Sequence, residues 1–451
     1  MTVETVNPAT GKVEYTLELM DNAAIESILA ASETAFPKWA ARPLTERGDL
    51  LHRVGAQLRN RSDAIQKIMT AEMGKVRKEA LAEIEKCAGA CDYYAEHAAG
   101  YLRDQPIATD ASNSYVRFEP IGCVLAVMPW NFPLWQVFRF AAPSLMAGNV
   151  GLLKHAANVT QCSLLIEKVF LEAGFPEGAF QSLLVDSKNI KTIIARDEIS
   201  AVTLTGSEYA GTQVAASAGE NLKKTVLELG GSDPFIVLDD ADLELAARVG
   251  TQSRMQNAGQ SCIAAKRFII TEKVKEEFSH RFKENIERLK QGDQLDEATT
   301  TGPIARLDLA EQLEQQVKTS TQSGAKLITG GNRNGCNFTP ALLDHVWPGM
   351  IAFEEEIFGP VAAMITVKNE QEAVTIANAH RYGLGASVWT KDLEKGERVA
   401  REIESGSVFV NSLMRSDQRL PFGGIKKSGY GRELSEAGIK EFVNTKTIFV
   451  A

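Results

Sequence analysis

The 451-residue chain sets 49 Lys and Arg against 58 Asp and Glu, a net charge of −9, with 44% apolar and 24% charged residues. This is the balance of a globular protein of two or three domains, and no basic tract could neutralise a nucleic-acid backbone, so no nucleic-acid partner is expected. No leader-like start, membrane-length apolar run, Cys-x-x-Cys or paired histidines occur, so a cytoplasmic protein with reduced thiols, no membrane contact and no metal is predicted.

Residues 22–103 place apolar side chains three and four apart and predict successive helices. "SNSYVRFEPIG" alternates as a strand does. From there strands and helices take turns: "CVLAVMP" (123–129), "VGLLKHA" (150–156), "FQSLLV" (180–185) and "ISAVTLTG" (199–206) are the strands. Among the intervening helices, "TQCSLLIEKVFLEAG" ends on Gly174. Wholly apolar strands separated by helices predict an α/β protein with a doubly wound parallel sheet, which binds ligands beyond the carboxyl ends of its strands. A second strand–helix series starts at "DPFIVLDD" and runs to about residue 410. The terminal "EFVNTKTIFVA" is a short strand in need of a sheet, and a neighbouring subunit is one source of it.

Four local patterns bear on chemistry. "VMPWNFPLWQVFRF" (127–140) leaves a buried strand between two prolines that make Trp130-Asn131-Phe132 rigid, whether as a capped turn or as a presented amide. "LTGSEYAG" (204–211), with Gly206, Ser207 and Gly211, offers N–H groups and a hydroxyl at a helix start, either for phosphate or as an ordinary cap. "TVLELGGSDP" (225–234) puts the acid Glu228 at a strand end before two glycines. "MQNAGQSCIAAKRF" (255–268) sets Cys262 among small residues with no histidine nearer than His280. A nucleophile there needs its helpers from elsewhere in the chain; otherwise the thiol is packing.

Taken in order with "EEIFGPV" (355–361) and "PFGGIKKSGYGRE" (421–433), these blocks resemble the aldehyde dehydrogenase superfamily over essentially the whole chain. "LLKHAANV", "WQVFRFAAPSLMAGN" and "MRSDQRLPFGG" look most like its bacterial succinate-semialdehyde dehydrogenase branch. The resemblance implies a cofactor domain (1–104 and 120–229), a catalytic α/β domain (230–430) and a small β bridging element (105–119 and 431–451), in a homodimer or homotetramer. It makes Cys262 the nucleophile, Asn131 the oxyanion donor together with the N–H of Cys262, and Glu228 the base that activates water.

For the cofactor, the resemblance assigns Lys154 to the adenosine ribose and Trp130 and Ser207, on the turn with Gly206 and Gly211, to the pyrophosphate. Glu356 and Phe358 go to the nicotinamide ribose and ring. Many NAD-preferring relatives carry a glutamate where this chain has Ala157, and a proline where it has His155. Without that acid a ribose phosphate is not repelled, yet Ala157 brings it no hydroxyl, which implies use of both NAD and NADP. Arg139 matches a clamp for a distal carboxylate, and Ser416 a second contact with Arg419 beside it. Two departures stand out: Gln256 occupies the place of a second arginine, and Phe140 that of a lysine. The implied activity is oxidation of succinate semialdehyde. The alternatives are glutarate semialdehyde or a neutral aliphatic or aromatic aldehyde, and a non-catalytic protein that kept the fold.

Overall fold

The apolar runs between residues 123 and 228 build a six-stranded sheet in the computed structural model, which describes residues 1–451. Phe180–Ser182, Val150–His155, Cys123–Met128, Ile199–Thr205 and Lys224–Glu228 lie side by side in that order, all parallel. Val124, Leu125 and Ala126 are fully buried although they alternate in direction, so both faces of the sheet are covered. Asn22–Ala40, Trp135–Ala147, Thr160–Ala173 and Glu208–Glu220 are among the helices packed on it. Asp21 caps the first of these through Ala24 N, and Gly174, at φ 98°, ends the third as expected.

The sixth strand comes from far along the chain. Gly429–Tyr430 pairs antiparallel with Leu227 and Glu228. The sequence placed these two residues in the catalytic domain, but backbone pairing puts them in the first sheet. A two-residue strand is too short to carry a periodic signal.

The second sheet has seven strands in the order Lys326–Thr329, Ala341–Asp344, Val361–Val367, Ala265–Thr271, Asp233–Val237, Gly385–Trp389 and Ser407–Val410. Only the first pair is antiparallel. Ile236 and Ile269 enter one core on this sheet, while Phe235, Val237 and Phe268 enter another, the two-sided burial that makes these strands apolar throughout.

The terminal strand, Val443–Val450, finds its sheet within its own chain, pairing along its whole length with Asn113–Pro120. Gln105–Pro106 completes this outlying three-stranded sheet. An N-terminal hairpin, Thr2–Val6 with Val13–Glu18, was not foreseen from sequence. No helix is long and apolar enough to cross a membrane.

The two large sheets present opposite ends to the site. Asn131, Lys154, Ser207 and Glu228 lie at or just beyond the carboxyl ends of first-sheet strands, whereas Cys262 and Glu356 precede the amino ends of Ala265–Thr271 and Val361–Val367. The carboxyl-end rule therefore describes only half of this site.

Candidate active site

Cys262 lies in the turn between the helix Leu243–Met255 and the strand Ala265–Thr271. Just before it, Asn257, Ala258 and Gly259 have φ of 55°, 52° and 71°, three left-handed residues in succession. For the two that carry a Cβ this conformation costs roughly 1–2 kcal/mol each. Hydrogen bonds hold it in place. Glu79 accepts from Asn257 N (2.8 Å), Asn257 Nδ2 donates to the carbonyls of Asn131 (2.8 Å) and Gln260 (3.0 Å), and Gln260 Oε1 accepts from Ala305 N (2.9 Å). Buried Lys266 donates to the carbonyls of Ser261 (2.8 Å) and Cys262 (2.7 Å). The result is a clamped loop from which only Cys262 and Ile263 emerge between buried Ser261 and Ala264.

Asn131 is fixed to the same loop. One N–H of its amide donates to the Gln260 carbonyl at 3.1 Å, which leaves the second free for another acceptor. Lys75 donates to the Asn131 carbonyl at 3.2 Å and is ion-paired in the interior with Glu83. Glu83 in turn accepts from the N–H groups of Leu134 and Trp135, both at 2.9 Å, at the start of the helix Trp135–Ala147. His155 ties the turn to the next strand. Its Nδ1 lies 3.2 Å from the Met128 carbonyl and 3.0 Å from Ala156 N, and its Nε2 lies 2.8 Å from the Pro133 carbonyl. Burial pushes the ring down to about 4 and keeps it neutral.

Burial favours the protonated form of both titrating groups of the site. Burial lifts the Cys262 thiol to about 12, against the pull of Arg139 and Lys266. Glu228 is 2% exposed, and neither of its carboxyl oxygens has a hydrogen-bond partner. Burial first, then neighbouring Glu433, raises it well above its ordinary value of 4.5, with Arg139 and Arg432 opposing.

A narrow cavity of about 70 Å³ opens in front of Cys262, lined among others by Lys86, Trp135, Arg139, Gln256, Arg415 and Ser416. Arg139 reaches it from a buried position, ion-paired with Glu433, donating to Thr205 Oγ1 at 3.3 Å and lying over the Phe422 ring at 4.4 Å. Ser416 is there as well. Arg419 is not: it is exposed and folded back onto Asp417, at 2.6 and 2.8 Å. The turn after Ser416 directs its side chain away from the cavity, which sequence adjacency could not reveal.

The cofactor candidates gather as well. Trp130 stands edge-on to Phe358, with ring centroids 5.8 Å apart. Glu356 accepts from Gly231 N at 3.1 Å and lies 3.4 Å from Lys266 Nζ. Ser207 caps the helix Glu208–Glu220, whose first turn follows Gly206, and at Gly211 a Cβ would come within 2.5 Å of Leu229. Buried Lys154 has no carboxylate at ion-pair distance, and its Nζ donates to Ser187 Oγ at 3.2 Å, so a hydroxyl absent at exposed Ala157 is supplied from another turn. A buried cation without a counter-ion, a capped helix start and a carboxylate beside a glycine pair fit a dinucleotide.

Lys75, Glu79, Glu83, Lys86, Trp135, Ser187 and Glu433 went unread in the sequence. One signal was there: Glu79, Glu83 and Lys86 recur at spacings of four and three on the helix Arg77–Tyr101, a charged stripe on a face that also buries apolar residues.

A clamped thiol, a half-free amide and a buried acid thus stand at facing ends of two α/β sheets. The chain matches the aldehyde dehydrogenase family model over residues 1–448 and belongs to that family. It is 49% identical over 454 residues, covering 100% of both chains, to a probable succinate-semialdehyde dehydrogenase (NADP+) of Synechocystis sp.. It is 44% identical to an Escherichia coli succinate semialdehyde dehydrogenase (NAD(P)+), covering 98% of this chain and 97% of that one. The crystal structure of succinic semialdehyde dehydrogenase from Streptococcus pyogenes in complex with NADP+ superposes with a TM-score of 0.97 at 38% identity, covering 99% of each chain.

Proposed function

We propose that this chain catalyses NAD(P)-dependent oxidation of succinate semialdehyde to succinate through a covalent intermediate on Cys262. The observation that carries this reading is the cavity that Cys262 shares with the cations Lys86 and Arg139 and the hydroxyl of Ser416, a wall suited to an aldehyde that ends in a carboxylate. The curated relatives above, alike over their whole length, bear the same substrate in their names.

The Cys262 thiolate adds to the aldehyde carbon, and the carbonyl oxygen becomes an oxyanion. The free N–H of Asn131 and the backbone N–H of Cys262 stabilise it, each such donor being worth about 10²–10³ in turnover. Loss of hydride from the same carbon turns the thiohemiacetal into a thioester; a dinucleotide held by Lys154, Ser207 and Glu356 would supply the acceptor for that hydride. Glu228, once ionised, takes a proton from water whose oxygen attacks the thioester carbon, and the C–S bond breaks to release succinate and the thiol. Aldehyde, water and oxidised cofactor thus give carboxylate, reduced cofactor and two protons.

Lys154 with Ser187 suits a ribose phosphate, while nearby Asp186 favours the uncharged ribose, so the chain uses both NADP and NAD. The outlying three-stranded sheet is the element that joins a second copy into a homodimer or homotetramer. A free nucleophilic thiol suits a reducing cytoplasm. The test is kcat/KM for succinate semialdehyde, glutarate semialdehyde and butanal with each cofactor. Succinate semialdehyde should lead by about tenfold or more; equal values would overturn the substrate assignment.

A further inference from the structure

The helix Arg77–Tyr101 brings Lys86 to the narrow cavity before Cys262 and also to a wider one of about 700 Å³. Phe132, Trp135 and Gln256 line both, so the two form one passage to the thiol. Lys86 differs from the buried cations near the site. Arg139 is committed to Glu433, Lys75 to Glu83, and Lys266 to backbone carbonyls and Glu356. Lys86 has no carboxylate at ion-pair distance. Its Nζ stands 4.2 Å over the Trp135 ring and donates to Ser416 Oγ at 2.7 Å.

Buried Ser416 also accepts from Trp135 Nε1 at 2.9 Å. Both lone pairs of its oxygen are thereby used, and its hydroxyl proton has no acceptor in the protein. Two ammonium N–H groups and one O–H are left at a half-buried point where no anion answers the charge. Burial first, and then Arg139, lowers Lys86 to about 8, the direction expected of a cation held without a counter-ion.

We propose that Lys86, with the hydroxyl of Ser416, is the residue that binds the distal carboxylate of the substrate. It supplies the positive charge that Glu433 draws from Arg139 and that Gln256 does not provide. This rests on the succinate-semialdehyde reading and adds to it the group that makes the choice. Lys86 acts in specificity, so its removal should raise KM and leave the chemistry at Cys262 largely intact.

The experiment compares the parent with Lys86→Met, Lys86→Arg and Ser416→Ala on succinate semialdehyde and on butanal, an uncharged aldehyde of the same chain length. Succinate is added as a product inhibitor. Lys86→Met should raise KM for succinate semialdehyde about tenfold or more at similar kcat and weaken succinate inhibition in parallel. For butanal, kcat/KM should change less than about threefold. Lys86→Arg should keep most of the preference, and Ser416→Ala should lose a smaller part of it. Equal losses on both aldehydes, or a preference unchanged in Lys86→Met, would overturn the assignment; Ser416→Ala decides it if the lysine variant does not fold. A parent that does not prefer succinate semialdehyde over butanal would overturn the functional reading as well, and that result is read before any variant is made.

Discussion

Glu228 enters the folded state with a carboxyl that no donor touches, in the same buried pocket of charge as Glu433. An acid whose proton affinity is raised on folding keeps its proton at pH values where the unfolded chain has lost it. The stability of the neutral form is therefore complete below the ordinary carboxylate value and declines as pH climbs toward the raised one. Glu228→Gln removes that decline. Its Tm should match the parent near pH 4 and exceed it by on the order of 1–2 °C near pH 8.5, measured by calorimetry. Its steady-state turnover should fall about 10²–10⁴-fold while a thioester accumulates on Cys262, visible in the intact mass. In the parent, turnover should rise with pH from neutral upward, because Cys262 and Glu228 must both give up protons held by burial. A flat profile would contradict this account of both groups.

The turn before Cys262 shows how an element spends conformational energy to aim one side chain. Gly259 is the residue that this geometry requires, since its φ of 71° is combined with close contact to the Gly359 carbonyl at the place a Cβ would occupy. Gly259→Ala should destabilise the protein by about 2 kcal/mol or more and slow thiol alkylation at Cys262, whereas Gly89→Ala, at an open position on a helix, should do neither. The long elements here were legible because burial on two faces forces unbroken apolar strands and amphipathic helices between them. Cys262, Asn131 and Glu228 stood out as candidates because each lies at a strand end or turn with few alternatives around it. The supports were not: Glu79 and Glu83 meet their partners across 178 and 51 residues, and no local pattern encodes such a pairing. Arg419 failed for the converse reason, since a two-residue contact with Asp417 decided its direction.

At the scale of the whole molecule, the segment 421–433 crosses from the second half of the chain to the first. It is pinned where Phe422 and Glu433 exchange backbone hydrogen bonds at 2.8 and 2.7 Å, lays Gly429–Tyr430 against the strand of Glu228, and brings Glu433 to Arg139. Space at Gly423 is so limited that a Cβ would lie 2.7 Å from Glu228 Oε1. The pocket around Glu228 is thus walled by residues more than 190 positions downstream, Gly423 by its close approach and Gly429 by backbone pairing. During synthesis, a ribosome that has released only residues 1–229 has made an acid without its surroundings and a sheet with an unsealed border. Expressed alone, that portion should aggregate or stay loosely ordered by near-UV circular dichroism, and supplying 230–451 in trans should recover part of the dissolved protein. The pocket around Glu228 is finished only when residues 421–433 arrive, so a chain ending before Phe422 should lose activity as a chain without the thiol would.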